Sequence, residues 1–143
     1  MPADSFAFAG PVILDSGAVI AWLEREPGFD IVEQVMEDHR GYLHMAALNV
    51  CEVLYHFRRR LGAPGIVIAR ARIASAGVVE HATMDPAMVD VVATLKADIV
   101  RVSLADCCLL ALAQRLGGHV LTTDRKELDT PGPLAVCPIH FIR

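Results

Sequence analysis

Short apolar segments typical of β-strands alternate along this chain with segments of helical spacing, and this alternation restricts the fold more than any other feature. The strand-like segments are residues 11–14, 42–45, 77–83, 119–123 and 138–142. A connecting helix returns the chain to the end of the sheet where the previous strand began, so consecutive strands pair in parallel. The sequence therefore predicts an α/β fold, a three-layer sandwich in which helices cover both faces of a mainly parallel central sheet.

Apolar periodicity and helix-end signals define the helical segments. Predicted helices cover residues 16–24, 29–39, 46–60, 66–76 and 86–97, and a last one begins after Ser103 and ends at Gly117-Gly118. Asp85 is placed to cap the helix that begins at Pro86. Residues 99–102 form one further short extended segment between the last two helices.

Length and composition indicate one domain without a membrane segment. We expect residues 1–143 to form a single domain with a core at about 12–142. Hydrophobic residues make up 54% of the chain, yet no run approaches the ~20 apolar residues that cross a bilayer. The first ten residues lack the basic region and the long apolar core of a signal peptide. These features predict a cytoplasmic protein whose apolar surface fits a protein partner.

The cysteines do not indicate a metal site. Cys51, Cys107, Cys108 and Cys137 include no C-x-x-C pair and lie among apolar residues. Adjacent Cys107 and Cys108 point in different directions from a helix, so one metal ion does not easily bind both. We therefore expect reduced, buried thiols and no zinc site.

The net charge of −4 does not by itself indicate a nucleic-acid partner. The positive charge is nonetheless concentrated, because Arg58-Arg59-Arg60 is followed closely by Arg70 and Arg72. Two interpretations stay open. Arginines form bidentate contacts with phosphate, but cations at the end of a helix also complement its dipole while they face solvent.

Four acidic residues follow strand-like segments. Asp15 and Asp124 come directly after the first and the fourth of these segments. Glu52 lies about two turns into the helix that leaves the second strand, and Asp106 lies in the first turn of the helix that follows 99–102. Because the carboxyl ends of parallel strands meet at one edge, where α/β proteins bind ligands, we expect the four carboxylates to gather there.

Each of these acids also has an ordinary structural interpretation. Asp15 fits a helix cap, Asp106 has the spacing of a capping box with Ser103, and Asp124 fits a loop. Glu52 fits a solvent-facing position on its helix, although apolar neighbours on both sides weaken that interpretation.

Carboxylates that gather at one edge are stable only if some of them are protonated or a cation joins them. Two of them about 4 Å apart repel each other by roughly 4 kcal/mol at an effective dielectric constant of 20. Oxygen ligands suit a hard divalent ion, Mg²⁺ or Mn²⁺, which orients and deprotonates a water molecule and neutralises charge on a phosphodiester. Thr122, two residues before Asp124, offers a hydroxyl to the same place.

Three segments together resemble a known family. They are VILDSGAVIAWL at 12–23, AALNVCEVLYHF at 46–57 and SLADCCLLALAQRLGGHVLTTDR at 103–125. In this order and at these spacings they resemble the PIN domain, and most closely the VapC ribonuclease toxins of bacterial toxin–antitoxin pairs. The resemblance extends over about residues 12–142. Residues 61–85 match least well, and substrate choice would lie there.

The resemblance implies roles for the residues already singled out. Asp15, Glu52, Asp106 and Asp124 correspond to the family's catalytic and metal-binding acids, and Thr122 corresponds to its hydroxyl position. It also implies Mg²⁺- or Mn²⁺-dependent cleavage of single-stranded or loop RNA, a homodimer, and inhibition by a small antitoxin protein. Such antitoxins commonly fill a hydrophobic groove and insert a basic residue into the acidic site.

Three other functions match parts of the pattern. Phosphatases and dehalogenases with an aspartate nucleophile need a second acid two residues later, where this chain has Gly17. A receiver domain needs a lysine after a late strand, and the chain's two lysines are Lys96 and Lys126. The alternative that stays open is a catalytically idle PIN-like module that acts by binding a protein partner.

Overall fold

Five short strands in the computed structural model, which describes residues 8–143, form one sheet in which every neighbouring pair is parallel. The strands are β1 (Val12–Leu14), β2 (Leu43–Ala46), β3 (Val79–His81), β4 (His119–Thr122) and β5 (Ile139–Phe141). Their order across the sheet is β3-β2-β1-β4-β5. The predicted α/β fold with a parallel sheet is therefore confirmed, and β1 lies at its centre.

Helices cover both faces of this sheet. On one face lie α1 (Ser16–Glu24), α2 (Phe29–Asp38), α3 (Ala47–Leu61) and α4 (Ala63–Ser75), and on the other lie α5 (Pro86–Asp98) and α6 (Leu104–Leu116). Two short helices that the sequence analysis missed, α7 (Arg125–Leu128) and α8 (Pro131–Leu134), follow β4. Val12 and Leu14 of β1 face the first layer while Ile13 faces the second, because successive strand side chains point to opposite faces.

Helix α6 is buried from its first turn onward. Every residue from Asp106 to Ala113 is buried, and the helix packs against α5, α3 and three strands of the sheet. Complete burial of Leu109 and Leu110 contributes about 1.5–3 kcal/mol for each side chain relative to exposure. This packing fixes the position of the α6 N-terminus, and therefore of Asp106, relative to the strand ends.

The predicted extended segment at 99–102 is wrong, because these residues form a turn between α5 and α6. The Ile99 N–H donates to the Leu95 carbonyl at 2.8 Å and so closes α5, and the Val102 N–H donates back to the Ile99 carbonyl at 3.2 Å. The Lys96 ammonium donates to the carbonyls of Val100 and Val102. The backbone groups that would pair with a neighbouring strand therefore form hydrogen bonds within the turn and to Lys96.

Helix α4 begins three residues before the predicted start at 66. Pro64 lies in its first turn, where the missing N–H of proline needs no partner. Gly65 approaches α3 so closely that a Cβ at this position would collide with the carbonyl oxygen of Phe57. The stretch Gly62-Ala63-Pro64-Gly65 thus begins a helix and packs closely against α3, whereas its Gly and Pro residues are typical of a loop between helices.

The cysteine prediction is confirmed for three residues and wrong for one. All four thiols are free, and Cys107, Cys108 and Cys137 are buried. Cys51 is exposed, because α3 turns this side chain away from the face that packs on the sheet.

The interpretation of the chain's first ten residues falls mainly on 1–7, which lie outside the described part. Within 8–143, no helix is both long enough and apolar enough to cross a bilayer.

Replacement of Gly65 by alanine should lower the free energy of unfolding by about 1–3 kcal/mol. The new methyl group meets backbone atoms of α3 that cannot rotate away, and this cost exceeds the gain in helix propensity. Urea unfolding measures the difference. Ala71→Ser adds one atom on the exposed side of the same helix and should change the stability by less than about 0.5 kcal/mol. Equal stability of Gly65→Ala and the parent protein would contradict the close α3–α4 contact.

Candidate active site

An acidic cleft of about 490 Å³ lies at the carboxyl edge of the sheet. All four acids predicted from the sequence line it. The full lining is Asp15, Ser16, Gly17, Glu52, Ser103, Asp106, Thr123, Asp124 and Glu127. The fold thus brings together the side chains that the strand pattern predicted to meet, and it adds a fifth carboxylate from Glu127.

Asp15 is held by the strand end on one side and the helix start on the other. It follows β1 directly and caps α1, because its Oδ1 accepts a hydrogen bond of 2.8 Å from the Ser16 N–H. Its Oδ2 accepts a bond of 2.6 Å from the Thr122 hydroxyl. The side chain is only 4% exposed. The cap interpretation and the cleft position therefore both hold for this residue.

Thr122 joins the ends of the two central strands. Its fully buried hydroxyl donates to Asp15 and accepts a bond of 2.9 Å from the Asp124 N–H. The sequence predicted a hydroxyl offered to the cleft, but the structure directs it to these two neighbours. Thr122 thereby fixes the Asp15 carboxylate and the backbone of Asp124 relative to each other.

Asp124 and Glu127 form a second set of capping bonds. Asp124 Oδ1 accepts the Glu127 N–H at 3.0 Å and so caps α7. The Glu127 carboxylate in turn accepts the Ser103 N–H at 3.2 Å. Sequence reasoning missed Glu127, although Asp124-x-x-Glu127 has the spacing of a capping box and marks a helix start.

Asp106 lies in the first turn of a helix, as the sequence predicts, but the expected strand before that helix is absent. No strand precedes it, and it projects from the first turn of α6, where its N–H donates to the Ser103 hydroxyl at 3.1 Å. The Ser103 cap predicted from the sequence is therefore present. Carboxylate oxygens of Asp106, Asp124 and Glu127 lie within 4.8 Å of one another.

Glu52 approaches the cleft from α3. Its Oε1 accepts a hydrogen bond of 3.1 Å from the Ser16 hydroxyl and a longer one of 3.4 Å from the side-chain amide of Asn49. Asn49 is completely buried, and its Oδ1 has no hydrogen-bond partner among the described residues. The solvent-facing interpretation of Glu52 is wrong, because its carboxylate is bonded to α1 across the layer.

Burial and mutual repulsion change the protonation of the cleft. Burial raises the pKa of Asp15 to about 6, and the charges of Glu52 and Asp124 add to the rise, against hydrogen bonds from Thr122 and Ser16 that lower it. Burial raises the pKa of Asp106 to about 9, with further contributions from a hydrogen bond to Glu127 and from nearby acids. The same hydrogen bond lowers the pKa of Glu127. Asp106 and Glu127 therefore titrate as a pair, and the opposite shifts of their pKa values favour the protonated form on Asp106.

The donor set fits a hard divalent cation. Carboxylates, hydroxyls and backbone groups line the cleft, with no thiol or imidazole in its lining. Three carboxylates converge within a few ångströms, and the raised pKa values of Asp15 and Asp106 reflect a site that disfavours negative charge without a cation. Asp106, Asp124 and Glu127 are placed to bind such an ion, with Asp15 and Glu52 beside them.

Most of the clustered arginines have partners within the chain. Arg60 pairs with Glu24, and the Arg59 guanidinium lies 4.8 Å from the centre of the Tyr55 ring. The other two contacts are Arg70 with Glu80 and Arg72 with Trp22. Between the two open interpretations, these contacts favour a role in the surface structure of the helices.

Comparison with known proteins identifies the fold. The family model for the PIN domain matches residues 12–131. No curated protein sequence matches the chain. Among solved structures, the chain is similar to a DNA-bound VapBC complex from Salmonella typhimurium, with a TM-score of 0.70, 14% identity, and coverage of 94% of this chain and 100% of that chain.

Two further solved structures share the architecture. VapBC2 from Rickettsia felis, bound to a fragment of promoter DNA, has a TM-score of 0.69 and 9% identity, and the match covers 91% of this chain and 97% of that one. A toxin–antitoxin complex from Klebsiella pneumoniae has a TM-score of 0.65 and 16% identity, with 92% and 98% covered. At these identities the likeness shows the fold.

Addition of Mg²⁺ should raise the melting temperature and release protons. An ion that binds only the folded state stabilises it by about 2.7 kcal/mol at 100 times its Kd. The ion also displaces the proton that Asp106 holds at a pH near 7.5. Calorimetric titration in buffers of different ionisation enthalpy measures the release. Asp106→Asn should abolish most of it, whereas the exposed control Asp90→Asn should not. An unchanged melting temperature in the parent protein would contradict a cation site.

The metal-free protein should lose stability as the pH rises. Asp15 and Asp106 have pKa values of about 6 and about 9 in the fold, against about 3.9 in an unfolded chain. The folded state thus binds more protons, so the stabilisation from these carboxyls is complete below pH ~4 and is lost as the pH rises through both folded values.

Urea unfolding in EDTA between pH 5 and pH 9 tests this dependence. Asp106→Asn keeps a neutral side chain at all of these pH values and should flatten the decline above about pH 6. Asp90→Asn should keep the parent slope. The same slope in Asp106→Asn as in the parent would show that Asp106 does not carry the buried proton.

Proposed function

This chain belongs to the PIN-domain family, and from that premise we propose that it is a divalent-metal-dependent endoribonuclease and the toxin of a toxin–antitoxin pair. The observation that carries the proposal is the convergence of five carboxylates, from four separate parts of the chain, in one cleft at the carboxyl edge of the sheet. Two carboxylates suffice for acid–base chemistry in many hydrolases, whereas five carboxylates in one cleft repel one another unless some are protonated or a cation is bound.

The chain's own residues prepare the cleft for phosphodiester hydrolysis. Asp106, Asp124 and Glu127, with Asp15 and Glu52 beside them, would hold Mg²⁺ or Mn²⁺. When bound, the ion supplies an activated water molecule and neutralises charge that develops on the phosphate. Thr122 and Ser16 orient the two carboxylates that flank this position. The proton on Asp106 leaves when the cleft is loaded, so all its oxygens become available as ligands.

The second part of the proposal concerns partners. The solved structures with this fold include VapBC and other toxin–antitoxin complexes. Large apolar side chains on this chain are exposed on α3 and α4, for example Tyr55, Leu61 and Val67. Such a surface is compatible with a small antitoxin protein and with a homodimer. We place the reaction in the cytoplasm, where an RNA substrate and an antitoxin are both synthesised.

Cleavage of RNA by the purified protein should require Mg²⁺ or Mn²⁺ and stop in EDTA. Asp15→Ala and Asp106→Asn should each lower the rate by at least about 100-fold, because each removes a positioned charged group from the reacting centre. Gel analysis of a labelled RNA measures the rate, and melting curves show that each variant is folded. Asp90→Asn, on the exposed side of α5, should cleave at the parent rate.

Two results would contradict the proposal in different ways. If Asp106→Asn cleaves as fast as the parent protein, the cleft is not where the reaction occurs. If the parent protein binds the ion but cleaves no RNA, it is a catalytically idle member of the family that acts by binding a partner.

A further inference from the structure

A second pocket, which we call the β2–β3 pocket, lies beside the acidic cleft and has a different chemical character. Its volume is about 220 Å³, and its apolar wall includes Leu48, Met84, Met88 and Leu112. Pockets for drug-sized ligands span about 300–1,000 Å³. The β2–β3 pocket therefore has the size of a single ring system.

The pocket and the cleft lie at the same edge of the sheet, and helices α3 and α6 contribute side chains to both. Leu48 follows β2, which pairs directly with β1, and Met84 follows β3, the next strand outward. Since neighbouring strands are about 4.8 Å apart, the pocket begins one to two strand spacings from Asp15. On α3, Leu48 and Glu52 are four residues apart and lie on the same face, so this helix presents one to the pocket and the other to the cleft.

Three polar side chains also line the β2–β3 pocket. His81, Thr83 and Arg115 contribute an imidazole, a hydroxyl and a guanidinium. Arg115 is held in place by two hydrogen bonds of 2.8 Å to Asp85, which leaves further N–H groups of its fork for a ligand.

The histidine of the pocket is neutral at pH 7. Burial and the charge of Arg115 lower the pKa of His81, and its Nε2 lies 2.9 Å from Nδ1 of His44. A neutral imidazole has one donor and one acceptor nitrogen, and the contact with His44 leaves Nδ1 of His81 for a ligand, beside the Thr83 hydroxyl, which can donate and accept. The pocket therefore offers donors and acceptors together, which a heteroaromatic ring with mixed polar edges matches better than a simple anion does. The methionines add thioether contacts, which favour aromatic rings.

We propose that the β2–β3 pocket binds one nucleobase of the RNA, next to the phosphate that reacts in the acidic cleft, and so determines the sequence preference of the protein. This inference rests on the proposed function for its substrate. It assigns the preference to Leu48 and to residues 81–84, and only the latter lie in the part of the chain that has the least family resemblance. Direct hydrogen bonds to an unpaired base are the usual means by which proteins read RNA sequence.

Binding can be tested without cleavage. The full-length protein, with ¹³C-methyl methionine and in EDTA, is titrated with AMP, GMP, CMP and UMP, and with ribose 5-phosphate as a probe that lacks a base. At least one nucleotide should shift the methyl signals of Met84 and Met88, and ribose 5-phosphate should not. Met36, in α2 on the opposite layer, is the internal control.

A pair of matched variants locates the response. Ala82→Phe fills the pocket from an exposed position that lines it, and Ala93→Phe adds the same side chain on the exposed side of α5 outside it. Ala82→Phe should weaken nucleotide binding by at least 10-fold while melting at nearly the parent temperature. It should also flatten the base preference at one position beside the cut in a randomised RNA. Ala93→Phe should change neither property.

Three outcomes would overturn the inference. They are the absence of a methyl shift with all four nucleotides at 10 mM, an equal response in Ala82→Phe, and a change of association state in Ala82→Phe without nucleotide binding in the parent. The last outcome would make the pocket a contact between two copies of the chain. Because the titration needs no metal and no cleavage, nucleotide binding by a protein that fails to cut RNA would reject the proposed ribonuclease activity and leave the pocket assignment standing.

Discussion

Repulsion among buried carboxylates is the constraint on which the rest of the structure depends. Five acidic side chains line one cleft, and two of them have pKa values raised well above the usual range. A flexible chain would let them separate. Here the two most buried acids are attached to elements that cannot move independently, because Asp15 follows the central strand and Asp106 projects from a helix that is buried from Asp106 to Ala113. The hydrophobic layers thus hold together charges that would otherwise move apart.

Helix caps carry much of this positioning. Asp15, Ser103 and Asp124 each bond a backbone N–H at the start of a helix. In two of the three cases the capping side chain is itself part of the acidic cluster, so the same hydrogen bond caps the helix and orients a carboxylate in the cleft. The choice between a structural and a functional interpretation of such residues is therefore not exclusive. A helix-capping carboxylate is well suited to bind a metal ion, because the helix fixes its orientation.

The parts of the fold that the sequence predicts are those with local physical causes. Strand β1, the caps at Asp85 and Ser103, and the end of α6 at Gly117 follow from apolar patterns and turn chemistry within a few residues. The turn at 99–102 was missed because Val and Ile favour strands, while the decisive bonds come from Lys96 and Leu95. The start of α4 was missed because the use of Gly65 as a contact point is visible only once α3 lies against it.

In the acidic cleft, too, the residues with local causes could be predicted and those that depend on distant contacts could not. The position of Asp15 could be predicted because a strand end needs no knowledge of distant residues. The first-turn position of Asp106 could be predicted from its capping box with Ser103, although the strand expected before that helix is absent. Glu127 was missed because its importance lies in its proximity to Asp106, 21 residues earlier in the chain, and tertiary packing alone establishes that contact. Residue roles in the reaction stay predictions that the proposed experiments address.

The bond between Thr122 and Asp15 has a consequence for synthesis on the ribosome. It joins residues 107 positions apart and depends on the pairing of β1 with β4. A growing chain therefore has no complete cleft until residues up to Asp124 and Glu127 have left the exit tunnel. While these residues are still in the tunnel, Asp15, Glu52 and Asp106 lack two of the carboxylates of the cleft, so the proposed cation site is incomplete. A partner that binds during synthesis can therefore arrive before the proposed activity begins.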